Sequence, residues 1–423
     1  MSRIHSMKKS VILLFLLGLT LFSCNKNITK TEITFWHAMG GPLGKTLENM
    51  VADFEKEHPD IKVTLVGMGD YSALAQKLMG AISVDNPPTI AQVYESWTTQ
   101  FYTQKQLFPL DSFVHSPIGL SQEEISDMFE VFVENNKWDD KFLTFPFNKS
   151  VPVFFYNIAM FDSNGIKEFP KTWDEFRAVT KQLTKDLNQD GKPDIWGTGG
   201  GVNSWLFGCM LYQKNGRLLD ESKKKVAFNT ADATAILQYM IDLIYKDSSS
   251  NFVSGYEPQN DFLSGKLALI YGTIVSWAFM KDKMTFPIGI APLPSWDKNA
   301  VLSYGTNICL FRKANNLQKE AAWKFIKWFT RPKQQARWAS ETFYVPVCKQ
   351  ALFEPTYAKV LAEVKGLKQS VDQLHYAAFE PRGEEWFAGR RYLGEAMEEA
   401  IRLKTLPQKA LNNAAIKLEK EWK

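Results

Sequence analysis

The stretch whose side chains most resemble a metal site is the run DLNQDGKPD, from residue 186 to residue 194. Its side-chain oxygens stand at positions 1, 3, 5 and 9 of a calcium-binding loop, with glycine at position 6. Position 12 is Gly197, where an EF-hand loop requires a bidentate glutamate. The same side chains form an Asx-rich turn without any metal. The sequence therefore predicts either a structural Ca²⁺ site or a plain turn, and no other cofactor, at four residues: Asp186, Asn188, Asp190 and Asp194.

Two glycine-rich stretches could bring main-chain N–H groups close to a ligand, because glycine has no Cβ to keep the ligand away. The first, Ile33 to Gly44, reads ITFWHAMGGPLG and predicts a strand, a turn and the start of a helix. Free N–H groups at such a helix start suit an anion or a hydroxyl, although the turn matches neither the dinucleotide fingerprint nor the Walker loop. The second, GTGGGVNSW, ends at Trp205 and precedes an apolar helix. Trp205 is a candidate either for stacking on a ligand or for the core.

The residues that perform acid–base or nucleophilic catalysis are scattered along the chain. Neither a GxSxG nucleophile elbow nor an HExxH zinc motif occurs. Glu384 and Glu385 are adjacent, so they face different sides of a helix. We therefore expect a protein that is not an enzyme. The alternative is a secreted carbohydrate-active enzyme, which needs two carboxylates facing each other across a cleft. The sequence does not exclude this alternative. The five histidines lie far apart: His5, His37, His58, His115 and His375.

The N-terminal residues predict export. Basic residues precede an apolar run from Val11 to Phe22, the pattern of a signal peptide, and the run is shorter than the roughly 20 residues that span a bilayer. It is followed by Ser-Cys, so that the end resembles the lipobox that directs lipid attachment to Cys24. We expect residues 1–24 to be a signal peptide and residues 25–31 a tether. The protein would then be lipid-anchored in the periplasm or at the outer face of the membrane. The remaining cysteines cannot all pair and lack metal-site spacing: Cys209, Cys309 and Cys348.

Alternating strand and helix patterns predict an α/β fold built on largely parallel sheets. The formal net charge is only +4 over 423 residues, without a clustered basic face, which argues against nucleic-acid binding. The segment from Leu143 to Asn157 is apolar but broken by two prolines, which predicts an extended crossing between two lobes. Ligands of such folds bind at the carboxyl ends of strands, where the predicted strands place three side chains: Trp36, Tyr71 and Glu95.

The order of several short motifs identifies the chain as similar to a known family. They are ITFWHAMGGPLGKTLENMVADFEKEHPDIKV, GDYSALAQKL, IAQVYE, PFNKSVPVFFYN, KTWDEF, FLSGKLAL and TFYVPV. Together they resemble the extracellular solute-binding proteins of ABC importers, family 1, and within it the glycerol-3-phosphate-binding branch. The resemblance spans nearly all of the chain that follows the signal peptide.

The resemblance implies a two-lobed periplasmic-binding-protein fold of the α/β class, with a ligand cleft between the lobes. We expect residues 32–145 plus about 262–310 to form the first lobe. Residues 146–261 plus about 311–423 would form the second. The implied function is capture of a small polyol phosphate or sugar, such as glycerol 3-phosphate, a glycerophosphodiester or an oligosaccharide. A monomer would then deliver this solute to permease subunits in the membrane.

The resemblance also implies which residues contact the ligand. In the glycerol-3-phosphate branch a pair of tryptophans lies near the second glycine cluster; Trp205 matches one of them, and Val202 stands where the other would be. The segment PRGEEWFAGRR offers three arginines for an anionic ligand, of which Arg382 is preferred over Arg390 and Arg391. The predicted ligand residues are Trp36, Tyr71, Glu95, Ser150, Trp205, Ser276, Gly305, Tyr344 and Arg382.

Overall fold

The computed structural model describes residues 30–253, 255 and 257–422. The first half of this part contains β1 (Thr31–His37), α1 (Gly41–Glu57), β2 (Ile61–Gly67), α2 (Tyr71–Ser83), β3 (Ile90–Val93), α3 (Glu95–Thr103), α4 (Asp111–Val114), α5 (Gln122–Asp127), α6 (Glu130–Asn135), β4 (Lys137–Trp138), β5 (Lys141–Phe142), β6 (Phe145–Ser150), β7 (Pro152–Asn157), α7 (Ile158–Ser163), α8 (Trp173–Leu183), β8 (Trp196–Gly200) and α9 (Ser204–Gln213).

The second half contains β9 (Leu219–Asp220), β10 (Lys225–Val226), α10 (Ala231–Tyr245), β11 (Ser250–Phe252), α11 (Glu257–Leu263), β12 (Leu267–Thr273), α12 (Trp277–Met280), β13 (Ile288–Ala291), β14 (Val301–Leu302), β15 (Tyr304–Leu310), α13 (Asn316–Phe329), α14 (Pro332–Thr342), α15 (Pro355–Glu363), α16 (Leu367–Val371), β16 (Ala377–Ala378), α17 (Trp386–Ile401) and α18 (Pro407–Glu419).

Two five-stranded sheets organise the molecule, and the predicted α/β two-lobed fold is confirmed. The first has the order β2-β1-β3-β15-β6, in which β1 pairs in parallel with both neighbours and β15 runs antiparallel to β3 and β6. The second has the order β11-β8-β12-β7-β13, in which β8 is parallel to β11 and β12, while β7 is antiparallel to β12 and β13. Each sheet is the centre of one lobe.

Local sequence explains where many of these elements begin. Helix α1 starts with Pro42 in its first turn and buries an apolar stripe that includes Leu47 and Phe54. Helix α5 begins with a capping box, in which the Ser121 side chain accepts from the Glu124 N–H. All four residues of β3 are buried, as expected for a strand in the middle of a sheet covered on both faces. The turn between β1 and α1 therefore has the strand–turn–helix form that the first glycine-rich stretch predicts.

The predicted lobe boundaries need correction. Strands β12 and β13 pair within the second sheet, whereas β15 pairs within the first, so residues 262–302 do not belong to the first lobe. Helices α13 and α14 pack on β1 and α1, so residues 311–342 do not belong to the second lobe. Backbone pairing decides this division, and a buried strand has the same apolar pattern in either lobe. The chain crosses between the lobes at Val151, at Ser303 and again between α15 and β16.

The crossing predicted between Leu143 and Asn157 is present, because β6 ends in the first sheet and β7 begins in the second. Pro146 lies in β6 at the edge of the first sheet, and Pro152 is the first residue of β7. Both are positions where a strand tolerates the missing N–H of proline.

The predicted signal peptide and Cys24, the predicted site of lipid attachment, lie outside the described residues. Within the described part of the chain, no helix is both long and apolar enough to span a membrane. The other three cysteines are buried and unpaired, as the spacing predicts.

Candidate ligand site

Glu95 lies at the first position of α3, directly after β3, and its side chain is buried. Its Oε1 accepts a hydrogen bond from Asn135 Nδ2 at 2.8 Å, and Lys149 Nζ lies 3.9 Å from the same oxygen. Lys149 in turn donates to Asn135 Oδ1 at 2.8 Å. Burial lowers the pKa of Lys149 to about 8, against the opposing effect of Glu95. This arrangement holds the carboxylate firmly at a strand end, while its Oε2 accepts no hydrogen bond from the described residues.

Tyr71 and Tyr344 lie side by side in the first lobe. The Tyr71 hydroxyl accepts a hydrogen bond from Asn148 Nδ2 at 2.8 Å. The ring of Tyr344 stacks on Trp338 with 5.7 Å between centroids. Burial raises the pKa of Tyr344 well above its usual value, so both hydroxyls stay protonated and can donate.

Trp205 lies in the first turn of α9, which is capped by the Asn203 side chain. Its ring is half-buried and packs against the apolar clusters of both lobes. The ring centroids of Tyr304 and Tyr94 lie 5.0 and 6.4 Å from its own. Trp205 is therefore at the face where the two lobes meet, as the resemblance implies.

Arg390 is the arginine that reaches this face. Its guanidinium carbon lies 4.4 Å above the Trp205 ring and 5.2 Å above the Tyr94 ring. Its Nη2 forms an ion pair with Glu380, whose side chain is only 4% exposed. The Nε–H is buried and has no hydrogen-bond partner among the described residues. Glu380 raises the pKa of Arg390 against the effect of burial, so the guanidinium is charged.

Arg382, the arginine preferred from the sequence, has other partners. Its Nη2 donates to the main-chain oxygen of Glu134 at 2.6 Å, and its Nη1 donates to that of Lys137. Its guanidinium also lies 5.2 Å from the ring centroid of Trp138. These contacts direct the Nη1 and Nη2 groups of Arg382 to main-chain carbonyls of the first lobe, whereas Arg390 lies against Trp205, so the structure favours Arg390 for the predicted role. The third arginine, Arg391, is exposed and pairs with Glu395 in its own helix.

The remaining predicted residues lie around these groups. Trp36 is the last residue but one of β1, is half-buried, and packs against the same apolar cluster as Tyr71. Ser150 ends β6, and its Oγ is buried and unpartnered among the described residues. Gly305 has φ +101°, and a Cβ there would overlap the carbonyl oxygen of Asn148. Glycine is thus required by the close approach of β15 to β6. The structure therefore explains Gly305 by packing.

Ser276 follows β12 in the second lobe and lines a cavity of about 680 Å³. The described residues that line this cavity all belong to the second lobe and include the end of β8, the following loop and one face each of α8, α9, α10 and α17. Its side walls combine half-buried apolar groups, such as Val202 and Tyr271, with polar ones, such as Asn203. A cavity of this size and mixed lining suits a small polar ligand.

Sequence reasoning missed several groups that the fold brings to the site. Tyr94 and Lys149 stand immediately beside the predicted Glu95 and Ser150, yet neither has a sequence signal of its own. Asn135 and Glu380 come from elements distant in the chain. Arg390 was one of the three arginines that the sequence offered, and its spacing of four residues from the buried Trp386 on α17 could have ranked it above Arg382.

The calcium-like loop forms a network of side chain to main chain hydrogen bonds. Asp186 Oδ2 accepts from the Gly191 N–H at 2.8 Å, Asn188 Oδ1 from the Asp190 N–H at 2.9 Å, and Asp194 Oδ2 from the Leu187 N–H at 2.7 Å. This is the pattern of an Asx-rich turn. No group of three or more potential metal-binding acidic, histidine or cysteine side chains occurs in the described residues.

The Ca²⁺ site stays a prediction with a simple test. If the four side chains bind Ca²⁺, removing it with EDTA lowers the melting temperature and adding Ca²⁺ restores it, because the ion binds only the folded state. The Asx-turn arrangement instead predicts the same melting temperature in both solutions. Mg²⁺ added after EDTA serves as the control for a nonspecific effect of divalent ions.

Comparison with known proteins gives consistent matches over most of the chain. A family model described as bacterial extracellular solute-binding protein matches residues 49–362. The sn-glycerol-3-phosphate-binding periplasmic protein UgpB of Pectobacterium atrosepticum is 26% identical over 340 residues, which cover 76% of this chain and 74% of the relative. The protein of the same name from Yersinia pestis is 26% identical over 347 residues, with 79% and 78% covered.

Two solved structures share the fold with a TM-score of 0.81 at 21% identity. One is the ABC substrate-binding protein Lmo0181 from Listeria monocytogenes in complex with cycloalternan, which covers 93% of this chain and 99% of its own. The other is UgpB from Mycobacterium tuberculosis in complex with glycerophosphocholine, with 92% and 98% covered. The likeness extends over both sheets and both lobes.

Proposed function

The chain belongs to the bacterial extracellular solute-binding proteins of ABC importers, which bind small-molecule solutes and deliver them to membrane permeases, and we propose that its solute is a polyol phosphate. Glycerol 3-phosphate and the glycerophosphodiesters are the simplest members of this class. We also propose that the protein acts as a monomer, because both walls of the candidate site come from one chain.

Arg390 carries this proposal. A planar guanidinium can bind two phosphate oxygens, and Glu380 engages only its Nη2. The Nε–H has no partner among the described residues, and the rings of Trp205 and Tyr94 hold the guanidinium at the face between the lobes. An anion that binds there would complete the hydrogen bonding of a buried donor, which is costly to leave unpaired.

Glu95 supplies the complementary group in the first lobe. Its Oε2 can accept a hydrogen bond from a ligand hydroxyl, while Asn135 and Lys149 hold the carboxylate through Oε1. The hydroxyls of Tyr71 and Tyr344 lie in the same lobe. A ligand that contacts Glu95 and Arg390 together would bridge the lobes and stabilise their closed arrangement by its differential affinity.

Calorimetry and thermal melting with a panel of ligands test the proposed function. We expect glycerol 3-phosphate and glycerophosphocholine to raise the melting temperature, and glycerol to leave it unchanged. At a concentration 100 times its Kd a ligand adds about 2.7 kcal/mol to the free energy of unfolding. The ligands should be recovered unchanged, since the similar proteins are binding proteins and not enzymes. If only oligosaccharides raise the melting temperature, a polyol phosphate is excluded as the solute.

A neutral oligosaccharide is the second candidate, and the cavity in the second lobe favours it. Its volume of about 680 Å³ exceeds what glycerol phosphate needs, and its half-buried aromatic and polar walls suit the apolar faces and hydroxyls of sugar rings.

Replacing Val202 with tryptophan separates the two candidates, because the indole would fill part of this cavity. If a sugar ring binds there, we expect the affinity for maltotriose, measured by calorimetry, to fall about tenfold or more. The affinity for glycerol 3-phosphate should stay within about twofold, since Arg390 and Glu95 are untouched. Val202→Ala is the matched control that leaves the cavity open. Equal maltotriose binding by the tryptophan and alanine variants would exclude the cavity as a sugar site.

We further propose that the chain is anchored by lipid on Cys24, on the basis of the signal-peptide pattern and the lipobox-like residues before it. Cys24→Ser is expected to move the protein from the membrane fraction to the soluble fraction of cells, because the substitution removes the cysteine that would carry the lipid. Fractionation with immunodetection measures this, with Cys348→Ser as a control that leaves the N-terminus intact. Membrane partitioning that survives Cys24→Ser would contradict the anchor.

A further inference from the structure

Arg382 connects the two lobes directly. Its backbone belongs to the second lobe, where the N–H groups of Arg382 and Gly383 both donate to Glu221 Oε1, at 2.7 and 2.6 Å. Its side chain extends to the first lobe, where Nη2 donates to the main-chain oxygen of Glu134 at 2.6 Å and Nη1 donates to that of Lys137. One side chain therefore makes two charge-assisted hydrogen bonds across the cleft.

The first lobe presents a suitable receptor for a guanidinium. Glu134 is in the last turn of α6, where the carbonyl oxygens carry the negative end of the helix dipole. The ring of Trp138 lies 5.2 Å from the guanidinium and is itself held by a hydrogen bond from its Nε1 to Thr99 Oγ1 at 2.9 Å. The ring centroid of Phe379, from the second lobe, lies 4.6 Å from the guanidinium.

These hydrogen bonds differ from the aromatic contacts that flank them between the lobes. Tyr94 meets Trp205 with tilted rings 6.4 Å apart, and Trp97 meets Phe387 edge-on at 6.3 Å, and such ring contacts tolerate sliding. The two hydrogen bonds of Arg382 have directional partners on the main chain, and they would break when the lobes separate. They need no ligand.

We propose that Arg382 is a latch that closes the two lobes without contacting the ligand, and so is a positioning residue for solute binding. The apparent affinity for a ligand that binds only the closed arrangement falls by the same factor as the fraction of closed molecules. Loss of the latch should therefore lower the affinity for every ligand by one common factor, regardless of the charge of the ligand. Loss of Arg390 should instead affect phosphate-bearing ligands selectively. The latch does not depend on the identity of the solute.

Solution X-ray scattering of the ligand-free protein tests the latch. We expect Arg382→Met to increase the radius of gyration of the ligand-free protein, and saturating glycerophosphocholine to restore the wild-type value. Arg331→Met is the matched control, because Arg331 is a half-exposed arginine whose carboxylate partner, Glu57, lies in the same lobe. Trp138→Leu removes the receptor ring from the other side and should open the lobes as well.

Affinities measured on the same variants complete the test. Arg382→Met should weaken each ligand that the wild type binds by the same factor, of about fivefold or more. Arg382→Lys should recover part of the loss, since an ammonium can donate to one of the two carbonyls. An unchanged radius of gyration in ligand-free Arg382→Met overturns the latch, as does a loss confined to anionic ligands. If no polyol phosphate binds the wild type, the proposed function fails while the scattering experiment still decides the latch.

Discussion

Replacing Arg390 with alanine is expected to weaken the binding of glycerol 3-phosphate by about tenfold to a hundredfold. A charge-assisted hydrogen bond contributes about 1.5–3 kcal/mol, and the guanidinium would make at least one to the phosphate. A neutral oligosaccharide should lose much less affinity. Isothermal calorimetry with both ligands measures the difference.

The same substitution should also destabilise the protein. Glu380 is 4% exposed, and a buried carboxylate without its partner costs about 3–5 kcal/mol unless it takes up a proton. Burial already raises the pKa of Glu380, and Arg390 opposes that rise. Without Arg390 the pKa rises further, so the folded state binds a proton more readily than the unfolded state. Stability is then lost as the pH increases through the raised pKa of Glu380. The Arg390→Ala variant should therefore be more stable at about pH 5 than at about pH 8.

The double variant Arg390→Ala/Glu380→Gln separates binding from stability. It removes the unpaired charge, so denaturant unfolding should return toward the wild-type midpoint, whereas the affinity for glycerol 3-phosphate should stay low. Retained affinity in the single variant would assign the anion-binding role to another group.

Replacing Glu95 with glutamine should weaken both ligand classes by about tenfold or more, since polyol phosphates and sugars alike present hydroxyls to this carboxylate. Glutamine keeps the size of the side chain and its oxygen can still accept a weaker hydrogen bond. The loss of affinity therefore measures the contribution of the negative charge. Normal binding of every ligand by this variant would mean that the cleft is not the site proposed here.

Glu95→Gln should also change how stability depends on pH. Lys149, which is 2% exposed, would lose the opposite charge that partly compensates its burial, and its pKa would fall below the present value of about 8. When the pKa of a lysine is lowered in the folded state, the folded protein binds fewer protons than the unfolded protein at intermediate pH. The free energy of unfolding therefore rises with pH between the lowered pKa and the ordinary pKa of lysine. This rise should begin at about pH 8 in the wild type and at lower pH in the variant.

Denaturant unfolding at several pH values measures that shift. The double variant Glu95→Gln/Lys149→Met has no titrating group at this position, so its stability should show no corresponding rise while its ligand binding stays weak. A single variant whose pH profile matches the wild type would show that Glu95 does not influence Lys149.

The sequence by itself determined the local structure and the family. Helix starts are encoded by capping side chains such as Ser121 and Thr172, which act on N–H groups three residues away. The alternation of strands and helices follows from apolar periodicity, which is also local. The order of motifs along the chain identified the solute-binding family, and the family match agrees. These features depend on neighbours in the sequence, so they can be read without the fold.

Only the tertiary structure decided which strands and side chains meet. Strand β15 joins the first sheet and β12 the second because main-chain hydrogen bonds pair them there, and their buried sequences do not distinguish the two sheets. Arg382 and Arg390 lie in one short segment, yet one reaches first-lobe carbonyls and the other reaches Trp205, because Arg390 is on the buried face of α17 and Arg382 precedes the helix. The burial of Lys149 beside Glu95 likewise depends on two elements far apart in the chain, and contacts of that kind are set by packing rather than by local sequence.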